Sequence, residues 1–506
     1  MGAALRFSPS NWQLVLLDGA LGAVAYTLAM LARFIDEGAV PPTYAVRTLG
    51  WLLPAAVLHV GVGEAMSWLR RPRSTLARRP VAPFLVAIGL GLVLLLLVND
   101  VLLPVGWRLP HFVVLVGPLL AGAGSAALRL AANRPFLADE LLPRRAVQLD
   151  LETCTAALGG KRVLITGAAG SIGSELARQV LAVRPATLVV VDVNETGLYE
   201  LEAELLARAR DAKLRTLILD VADASRVSRL FEQERPQAVF HAAAYKHVPL
   251  LETNPEQGFA SNVLGTLVVC EAAARAAVER VVVISTDKAV NPSSFMGLTK
   301  RVAELIVAAV GQSTPSTVLS AVRFGNVLGS RGSVIPTLLR QIDAGGPVTI
   351  THPEAQRFFM TISEAASLVL LTAALGRSGG VFVLDMGDAL RIEELAERLV
   401  RLRGMRPGRD IRFEYVGLRP GEKLREELCG PGEALVATEH PFVRRVESRA
   451  QIDGRALIEQ LRAVDEQRRL GDLDPSAYPR VLRDLVAASV EDEVHVAELV
   501  PQVPPV

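Results

Sequence analysis

Cysteine is scarce in this sequence, and the three cysteines stand far apart. They are Cys154, Cys270 and Cys429, in a chain of 506 residues. A zinc site or a disulfide framework needs several cysteines or histidines at short, regular spacings, and no such spacing occurs here. We therefore predict no metal centre and expect the cysteines to be packing residues of a protein in a reducing compartment.

Net charge and low-complexity sequence are also nearly absent. The chain has 54 Lys and Arg against 53 Asp and Glu, which gives a formal net charge of +1. A balance so close to zero lacks the basic footprint of nucleic-acid-binding proteins, so no nucleic-acid partner is predicted. No internal repeat interrupts the chain, and its length indicates more than one domain.

Apolar sequence is abundant, and it is concentrated in the first quarter of the chain. Half of all residues are hydrophobic. Four apolar stretches are each about 20 residues long, enough for a helix to cross a bilayer; they cover 12–32, 46–66, 81–99 and 111–128. We predict a four-helix transmembrane anchor over 1–132, in contact with the lipid bilayer. A buried helical bundle in a soluble domain is the alternative.

The distribution of arginine predicts the orientation of this anchor. The segment between the second and third spans is rich in arginine, whereas 35–45 contains neither Lys nor Arg. The positive-inside rule then places both chain ends in the cytoplasm of a multi-pass protein of the cell (inner or plasma) membrane. A connector is expected over 133–160 and a catalytic domain over 161–450, with a substrate-binding part from about 323. A C-terminal helix and flexible tail are expected over 451–506.

A glycine-rich turn opens the predicted catalytic domain. The segment KRVLITGAAGSIGSELARQV places a short strand before Gly167, Gly170 and Gly173, and a helix after them. Such a turn lets the backbone approach a pyrophosphate, which the helix N-terminus then binds. Strands alternate with helices beyond it, at 187–191, 215–219, 238–241 and 280–285. This alternation predicts an α/β fold with a doubly wound parallel Rossmann sheet; a similar sheet without nucleotide is the alternative.

The sequence favours NAD over NADP as the cofactor. Asp192 ends the second predicted strand, where a carboxylate can accept hydrogen bonds from the adenosine ribose. No Lys or Arg follows before Arg208 to receive a 2′-phosphate. The predicted cofactor-binding residues are Thr166, Gly167, Gly170, Ser171, Ile172, Gly173, Asp192, Asp220, Val221, Ala242, Ala243, Ala244, Asn262 and Lys300.

Six segments together resemble one protein family. They are ITGAAGSIGSELARQV, HAAAYKHVPLLETNPEQGFASNVLGT, ISTDKAVNPSSFMGLTKRVAE, VRFGNVLGSRGSVIPTLLRQI, HPEAQRFFMTISEA and GLRPGEKLREEL. They resemble the extended short-chain dehydrogenase/reductases, and more closely the CapD-type polysaccharide-biosynthesis proteins, which are membrane-anchored nucleotide-sugar 4,6-dehydratases. The resemblance implies tightly bound NAD and a UDP-sugar substrate, UDP-N-acetylglucosamine being favoured. A homo-oligomer is expected by fold-level analogy.

Two features depart from the family pattern. Large members carry an extra Rossmann-like domain between anchor and catalytic part, where this chain has only the connector. Met296 also stands where the wider superfamily has the tyrosine of Y-x-x-x-K, although large membrane-bound members resemble this chain in having methionine there.

The resemblance implies a set of catalytic residues: Thr286, Asp287, Lys288, Met296 and Lys300. Asp287 is implied as the general acid and Lys288 as the base at C5 of the sugar. A base working near neutral pH requires a lowered pKa of Lys288, which we expect from desolvation and from the nearby Lys300. Methionine cannot exchange a proton, so Asp287 or an ordered water must take the proton of the C4 hydroxyl. A solvated ion pair is the alternative for Asp287 and Lys288.

Substrate contacts are expected mainly from the C-terminal half. The predicted substrate-binding residues are Lys246, His247, Asn326, Arg331, Arg357, Arg419 and Glu422. Arginine can bind a diphosphate through two parallel hydrogen bonds, and Glu422 is a candidate for the nucleotide ribose. Two other functions stay open: a 4-epimerase on the same substrates, and a non-catalytic membrane scaffold that binds NAD and a nucleotide sugar.

Overall fold

The computed structural model describes residues 150–488 apart from 210–211, 377 and 449–451, with Leu141, Leu142 and a few residues between 20 and 46. The chain divides into two compact units, Met1–Phe136 with Val400–Asp410, and Leu137–Leu399 with Ile411–Val506. Almost all of the predicted anchor, 1–132, lies outside the described residues. Within the described part of the chain, no helix is long and apolar enough to span a membrane.

Strands and helices alternate through the first half of the second unit. The strands are β1 Arg162–Thr166, β2 Thr187–Asp192, β3 Lys213–Ile218 and β4 Ala238–His241. The helices are α1 Leu151–Leu158, α2 Ser171–Ala182, α3 Glu195–Leu206, α4 Ala224–Glu234, α5 Val248–Thr253, α6 Pro255–Gly258 and α7 Gly265–Arg275, with a π-helix at Phe259–Leu264. Asn194 and Asp223 begin α3 and α4, because each side chain accepts a hydrogen bond from a backbone N–H of the first turn.

The alternation continues beyond residue 280 with shorter strands. These strands are β5 Arg280–Ile284, β6 Val318–Arg323, β7 Asn326–Leu328, β8 Val348–Ile350, β9 Gln356–Arg357, β10 Phe359–Thr361, β11 Gly380–Leu384, β12 Leu390–Arg391, β13 Phe413–Tyr415, β14 Glu433–Ala437 and β15 Val443–Ser448. The longer helices are α8 Phe295–Ser313, α9 Val334–Asp343, α10 Ile362–Leu375, α11 Ile392–Leu402, α12 Gly454–Leu470 and α13 Tyr478–Ala488; short 3₁₀ turns occupy Asp287–Ala289 and Pro475–Ala477.

Nine strands form one twisted sheet in the order β14-β15-β11-β6-β5-β4-β1-β2-β3. Seven neighbouring strands run parallel to one another: β3, β2, β1, β4, β5, β6 and β11. At one edge of the sheet, β15 is antiparallel to both of its neighbours, β11 and β14. The predicted doubly wound parallel Rossmann sheet is therefore confirmed. Chain order reverses beside β1, which lies between β2 and β4, and ligands bind in such sheets at this switch point, outside the carboxyl ends of the strands.

Apolar side chains cover both faces of the sheet. Val281 and Val283 of β5 belong to one core with α7, α8, α12 and α13, whereas Val282 belongs to the other core with α2 and α10. This alternation follows from the two-residue period of a strand buried on both sides. Because α12 and α13 pack in the first core, residues 454–488 help to support the strand that ends at the candidate site.

Candidate active site

The glycine turn joins β1 to α2 with very little space around its backbone. Gly167 has φ of 67°, and a Cβ atom there would lie 2.4 Å from the backbone nitrogen of Ala243. A Cβ on Gly173 would lie 2.2 Å from the carbonyl oxygen of Gly167. Only glycine fits at both positions, because one requires a left-handed backbone and the other a close helix-to-turn contact.

The helix that follows the turn is open at its N-terminus. Gly170 is exposed, and Ser171 and Ile172 are partly exposed in the first turn of α2. The N–H groups of such a first turn have no partner within the helix and attract anions. Turn and helix together fit the pyrophosphate of a dinucleotide.

Asp192 connects the end of β2 to the glycine turn. Its Oδ2 accepts a hydrogen bond from the backbone N–H of Ala169 at 2.9 Å, and Oδ1 accepts one from that of Asn194 at 2.9 Å. The carboxylate is partly exposed and keeps further lone pairs, so the position suits a ribose hydroxyl. At the end of β3, Asp220 is exposed and Val221 is buried.

Two predicted cofactor residues, Thr166 and Asn262, have buried side chains that bond to protein. The Thr166 hydroxyl lies 2.7 Å from Nδ1 of His241, and Nε2 of His241 lies 3.1 Å from the Thr266 hydroxyl. Burial, together with the charge of Lys300, lowers the pKa of His241 to about 3. The ring is therefore neutral and links β1 and β4 to α7.

Asn262, on the π-helix, holds the loop after β4. Its amide donates to the Tyr245 carbonyl at 2.9 Å and to the Thr299 hydroxyl at 3.0 Å, and its carbonyl accepts from the N–H of Tyr245 at 2.8 Å. The side chain is fully buried, so it positions the partly exposed Ala242, Ala243 and Ala244 and does not itself face the cofactor space. The assignment of Asn262 to the cofactor site stays a prediction.

Asp287 and Lys288 lie side by side in a 3₁₀ turn directly after β5. Asp287 is fully buried, and its Oδ1 accepts hydrogen bonds from the Thr286 hydroxyl and the Lys288 ammonium, each at 2.9 Å. Its Oδ2 has no hydrogen-bond partner among the described residues. A Cβ on Gly325 would lie 2.9 Å from this oxygen, so the glycine leaves the space beside it free.

Lys288 lies among more carboxylates than the sequence indicated. Its Nζ donates to Oδ1 of Asn326 at 3.1 Å and lies 3.5 Å from Oε1 of Glu426, in addition to the contact with Asp287. Burial opposes the charge, but the carboxylates of Asp287 and Glu426 outweigh it and raise the pKa of Lys288 above its ordinary value. The predicted lowering was wrong, because Glu426 was not foreseen and the two carboxylates outweigh burial and the charge of Arg357.

Lys300 and Met296 occupy neighbouring turns of α8 in different surroundings. The Lys300 ammonium donates to the carbonyl of Ile284, at the end of β5, at 2.8 Å. Burial lowers the pKa of Lys300 to about 8, against the opposing effect of Glu304. Met296 is 4% exposed within the apolar core, where a thioether fills space. The structure thus gives Met296 a packing role, and its predicted place among the catalytic residues stays a prediction.

The predicted substrate residues fall into two groups. Around the glycine turn, the N–H of Arg331 donates to the Ser171 hydroxyl at 3.1 Å, and its guanidinium donates to the Ala169 carbonyl. Lys246 and His247 are exposed beside them, and Nζ of Lys246 lies 3.5 Å from the Ser330 hydroxyl. Arg331 therefore lies against the predicted cofactor loop, nearer to it than its assignment to the substrate diphosphate suggested.

The second group surrounds Arg357, which is only 5% exposed. Its guanidinium donates to Oε1 of Glu422 at 2.8 Å and lies 3.7 Å from Oε1 of Glu426. Glu422 also accepts from the Thr351 hydroxyl at 3.0 Å and from the N–H of Arg419, whose side chain is exposed. Arg357 is therefore engaged with carboxylates, so its predicted diphosphate role would require these ion pairs to open, whereas Arg419 is free to reach solvent.

Sequence reasoning missed Glu426, although it lies in the quoted segment GLRPGEKLREEL. The side chain is 3% exposed, and Oε2 has no hydrogen-bond partner in the described part of the chain. A parallel bridge between Gln356 and Arg425 brings it to Lys288. That pairing joins segments far apart in sequence, and the local pattern of residues 418–428 does not indicate it.

Comparisons with known proteins agree with this fold. The family model for the polysaccharide biosynthesis protein family matches residues 163–448. The capsular polysaccharide biosynthesis protein CapD of Staphylococcus aureus is 47% identical over 296 residues, which are 58% of this chain and 49% of that protein. An uncharacterized membrane protein of Methanocaldococcus jannaschii is 47% identical over 274 residues, 53% of this chain and 80% of that protein.

The similarity extends to an epimerase and to a solved structure. The UDP-glucose 4-epimerase of Rickettsia rickettsii is 35% identical over 303 residues, covering 59% of this chain and 84% of that protein. The X-ray structure of Pen from Bacillus thuringiensis superposes with a TM-score of 0.53 at 32% identity, covering 58% of this chain and 90% of that one.

The chain spans about half the length of CapD. The family match, residues 163–448, includes the glycine turn, Asp287, Lys288 and Lys300. With a family model that matches more than half of its residues, the chain belongs to the polysaccharide biosynthesis protein family, as a CapD-type extended short-chain dehydrogenase/reductase.

Proposed function

We propose that this protein is an NAD-dependent nucleotide-sugar 4,6-dehydratase, acting on UDP-N-acetylglucosamine for cell-surface polysaccharide biosynthesis. The observation that carries the proposal is the adjacent placement of Asp287 and Lys288 after β5, with one Asp287 oxygen that has no hydrogen-bond partner in the described part of the chain. Loss of water from a sugar needs an acid and a base at the C5–C6 edge, in addition to chemistry at C4.

The residues of the site can be assigned to successive proton transfers. Asp287 takes the proton of the C4 hydroxyl on its free oxygen and later gives it to the departing C6 hydroxyl, so that water leaves. Lys288 removes the C5 proton and delivers a proton to C5 at the end. A dinucleotide held by the glycine turn and Asp192 would supply the hydride chemistry, in which the hydride lost from C4 would be restored at C6 and the cofactor would be unchanged overall.

Lys300 and Thr286 support the C4 step. Lys300 ends at the same strand as Asp287, and as a cation it favours removal of the C4 hydroxyl proton. The Thr286 hydroxyl already donates to Asp287 and lies where it can also bond the C4 oxygen. Met296 takes no part in these transfers, so Asp287 does the work that a tyrosine does in the wider superfamily.

The product mass tests this proposal. Purified protein incubated with UDP-N-acetylglucosamine should yield a nucleotide sugar lighter by one water, with no added NAD consumed. Unchanged mass with a new stereoisomer at C4 would indicate a 4-epimerase, the second candidate, which the 35% identity to an epimerase supports. Binding of NAD and UDP-N-acetylglucosamine without turnover would instead support a non-catalytic scaffold.

We infer NAD rather than NADP from Asp192. Its carboxylate at the end of β2 suits the ribose 2′-hydroxyl and would repel a 2′-phosphate. Calorimetric titration should show tighter binding of NAD than of NADP. Replacement of Asp192 by alanine should narrow that difference, and a wild-type preference for NADP would contradict the assignment.

We also propose that residues 1–132 anchor the enzyme in the cell membrane, with the catalytic domain in the cytoplasm and the protein assembled as a homo-oligomer. The four apolar stretches and the arginine-rich segment 69–82 support the anchor, and one relative is itself called a membrane protein. A cysteine introduced at Arg73 should resist an impermeant thiol reagent added to intact cells, and one introduced at Thr43 should react. Labelling at position 73 would refute this topology, and light scattering of the purified protein would test the oligomer.

A further inference from the structure

Five charged side chains form a connected cluster around Lys288, in which three carboxylates face two cations. This Lys288 cluster consists of Lys288, Asp287, Glu426, Arg357 and Glu422. Two close ion pairs lie within it: Lys288 with Asp287 at 2.9 Å, and Arg357 with Glu422 at 2.8 Å. Glu426 is the fifth group, at the longer distances of 3.5 Å from Lys288 and 3.7 Å from Arg357.

Glu426 is thus a surplus carboxylate in a buried site. Its side chain is 3% exposed, and Oε2 has no partner among the residues the structure describes. Lys423 adds a weaker attraction, because its ammonium is held by the carbonyl of Val290. A buried carboxylate without a close cation of its own readily accepts a proton, and burial indeed raises the pKa of Glu426.

The dehydratase reaction requires a neutral amine at Lys288, and the cluster does not provide one when every group in it is charged. Lys288 can remove the C5 proton only as a neutral amine, yet two carboxylates hold it as an ammonium. Asp287 cannot take the displaced proton, since it must remain a carboxylate to receive the proton of the C4 hydroxyl. Among the described residues, Glu426 is the remaining carboxylate in contact with Lys288.

We propose that Glu426 is a positioning residue that holds the proton released by Lys288, so that the amine is free to act at C5. In this step an N–H bond of Lys288 breaks and an O–H bond of Glu426 forms. The pair is neutral overall before and after the transfer, so no net charge is created in the buried site. The inference rests on the proposed dehydratase function.

Proton exchange between Lys288 and Glu426 should give kcat a distinctive pH dependence. As long as Lys288 and Glu426 share one proton between them, the fraction of free amine does not change with pH. The wild-type kcat should therefore be flat across the neutral range. In E426Q the ammonium must lose its proton to solvent, so kcat should rise about tenfold per pH unit across the neutral range.

The experiment compares E426Q with two matched variants of the full chain. E426D retains a carboxyl group and should keep the flat profile at reduced kcat. E427Q changes the exposed neighbour, which bonds Asn291 away from Lys288, and should behave as the wild type. A flat profile in E426Q with unchanged kcat would overturn the inference while leaving the dehydratase proposal intact.

A second measurement needs no turnover and separates the two proposals. The pKa of the Lys288 amine can be followed by NMR after reductive methylation with ¹³C-formaldehyde. It should fall by about one pH unit or more in E426Q, because one of the two carboxylates that raise it is removed, and E427Q should leave it unchanged. Equal values in wild type and E426Q would refute the coupling whatever reaction the enzyme catalyses.

Discussion

Lys300 shows at the scale of a single residue how burial prepares a group for chemistry. Its side chain reaches the end of β5 from α8, and its pKa of about 8 leaves it poised between cation and amine near neutral pH. Arg323 is also buried on this side of the sheet but is matched by two carboxylates, Glu304 and Glu433, so it stays charged. Lys300 therefore differs from Arg323 in that the charge of a single carboxylate, Glu304, opposes the effect of burial on its pKa.

We predict an alkaline decline of activity from the titration of Lys300. The lysine is a cation below pH 8 and loses its charge as the pH rises through that value, so the rate of C4 oxidation should fall there. Arginine keeps its charge throughout this range. The alkaline decline should move to higher pH in K300R, for whatever activity that variant retains. A pH profile of K300R with the decline still near pH 8 would show that another group is responsible.

The glycine turn acts at the scale of an element, because it fixes where α2 begins relative to β1 and β4. Gly173 touches the backbone of the turn itself, whereas Gly170 is exposed and a Cβ there would have only the Gly167 carbonyl at 3.1 Å. The two glycines thus serve different purposes, close packing in one case and access for the pyrophosphate in the other.

Alanine substitutions should separate these two purposes. G173A should lower both the melting temperature and the affinity for NAD, since its Cβ would overlap a backbone oxygen that cannot move alone. G170A should keep the melting temperature of the wild type and lose NAD affinity by about tenfold or more, a cost of ~1.4 kcal/mol. Differential scanning fluorimetry and calorimetric titration measure the two effects. Normal NAD binding by G170A would mean that the pyrophosphate does not lie on this turn.

A buried ion network ties the strand ends near the site to the C-terminal strands. Arg323, at the end of β6, donates to Glu304 on α8 at 2.8 Å and to Glu433 on β14 at 2.7 Å. Glu304 also accepts from the Ser285 hydroxyl at 2.6 Å, two residues before Asp287. The network therefore fixes the backbone from which the catalytic turn begins.

Removal of Arg323 should be strongly destabilising. R323M would remove the fully buried partner of two buried carboxylates and leave them only the partly exposed Arg301, and breaking a buried ion pair in this way costs about 3–5 kcal/mol. Urea denaturation of the purified protein should show a loss of this order. Arg301, which is bonded to the same carboxylates but is partly exposed, provides the matched control. If R301M and R323M destabilised the protein equally, burial would not be the reason.

The local sequence predicted the parts of this site that depend on neighbouring residues. The glycine turn, Asp192 and the Asp287–Lys288 pair each follow a strand, so the sheet alone brings them to one edge. Glu426, the ion pairs of Arg357 and the supporting role of Asn262 could not be predicted in the same way. They depend on loops that meet across the fold, as in the bridge from Gln356 to Arg425, and no short-range pattern encodes that contact.

At the scale of the whole molecule, the residues with proposed chemical roles lie along one edge of the sheet, at the carboxyl ends of its parallel strands. The ends of β1, β2 and β4 form the proposed dinucleotide site, and the ends of β5 and β6 with the segment 418–428 surround Lys288. The family match, residues 163–448, includes all of these strand ends and the segment 418–428. We therefore predict that the catalytic domain, residues 161–450, contains every group needed to remove water from the sugar.

Reaction in D₂O tests that claim most directly. With UDP-N-acetylglucosamine in D₂O, the product should have lost one water and gained one deuterium at C5, because Lys288 exchanges its protons with solvent before returning one to carbon. Mass spectrometry and ¹H NMR report both changes in one sample. A product that keeps the mass of the substrate and its original C5 hydrogen would contradict the account and leave chemistry at C4 alone.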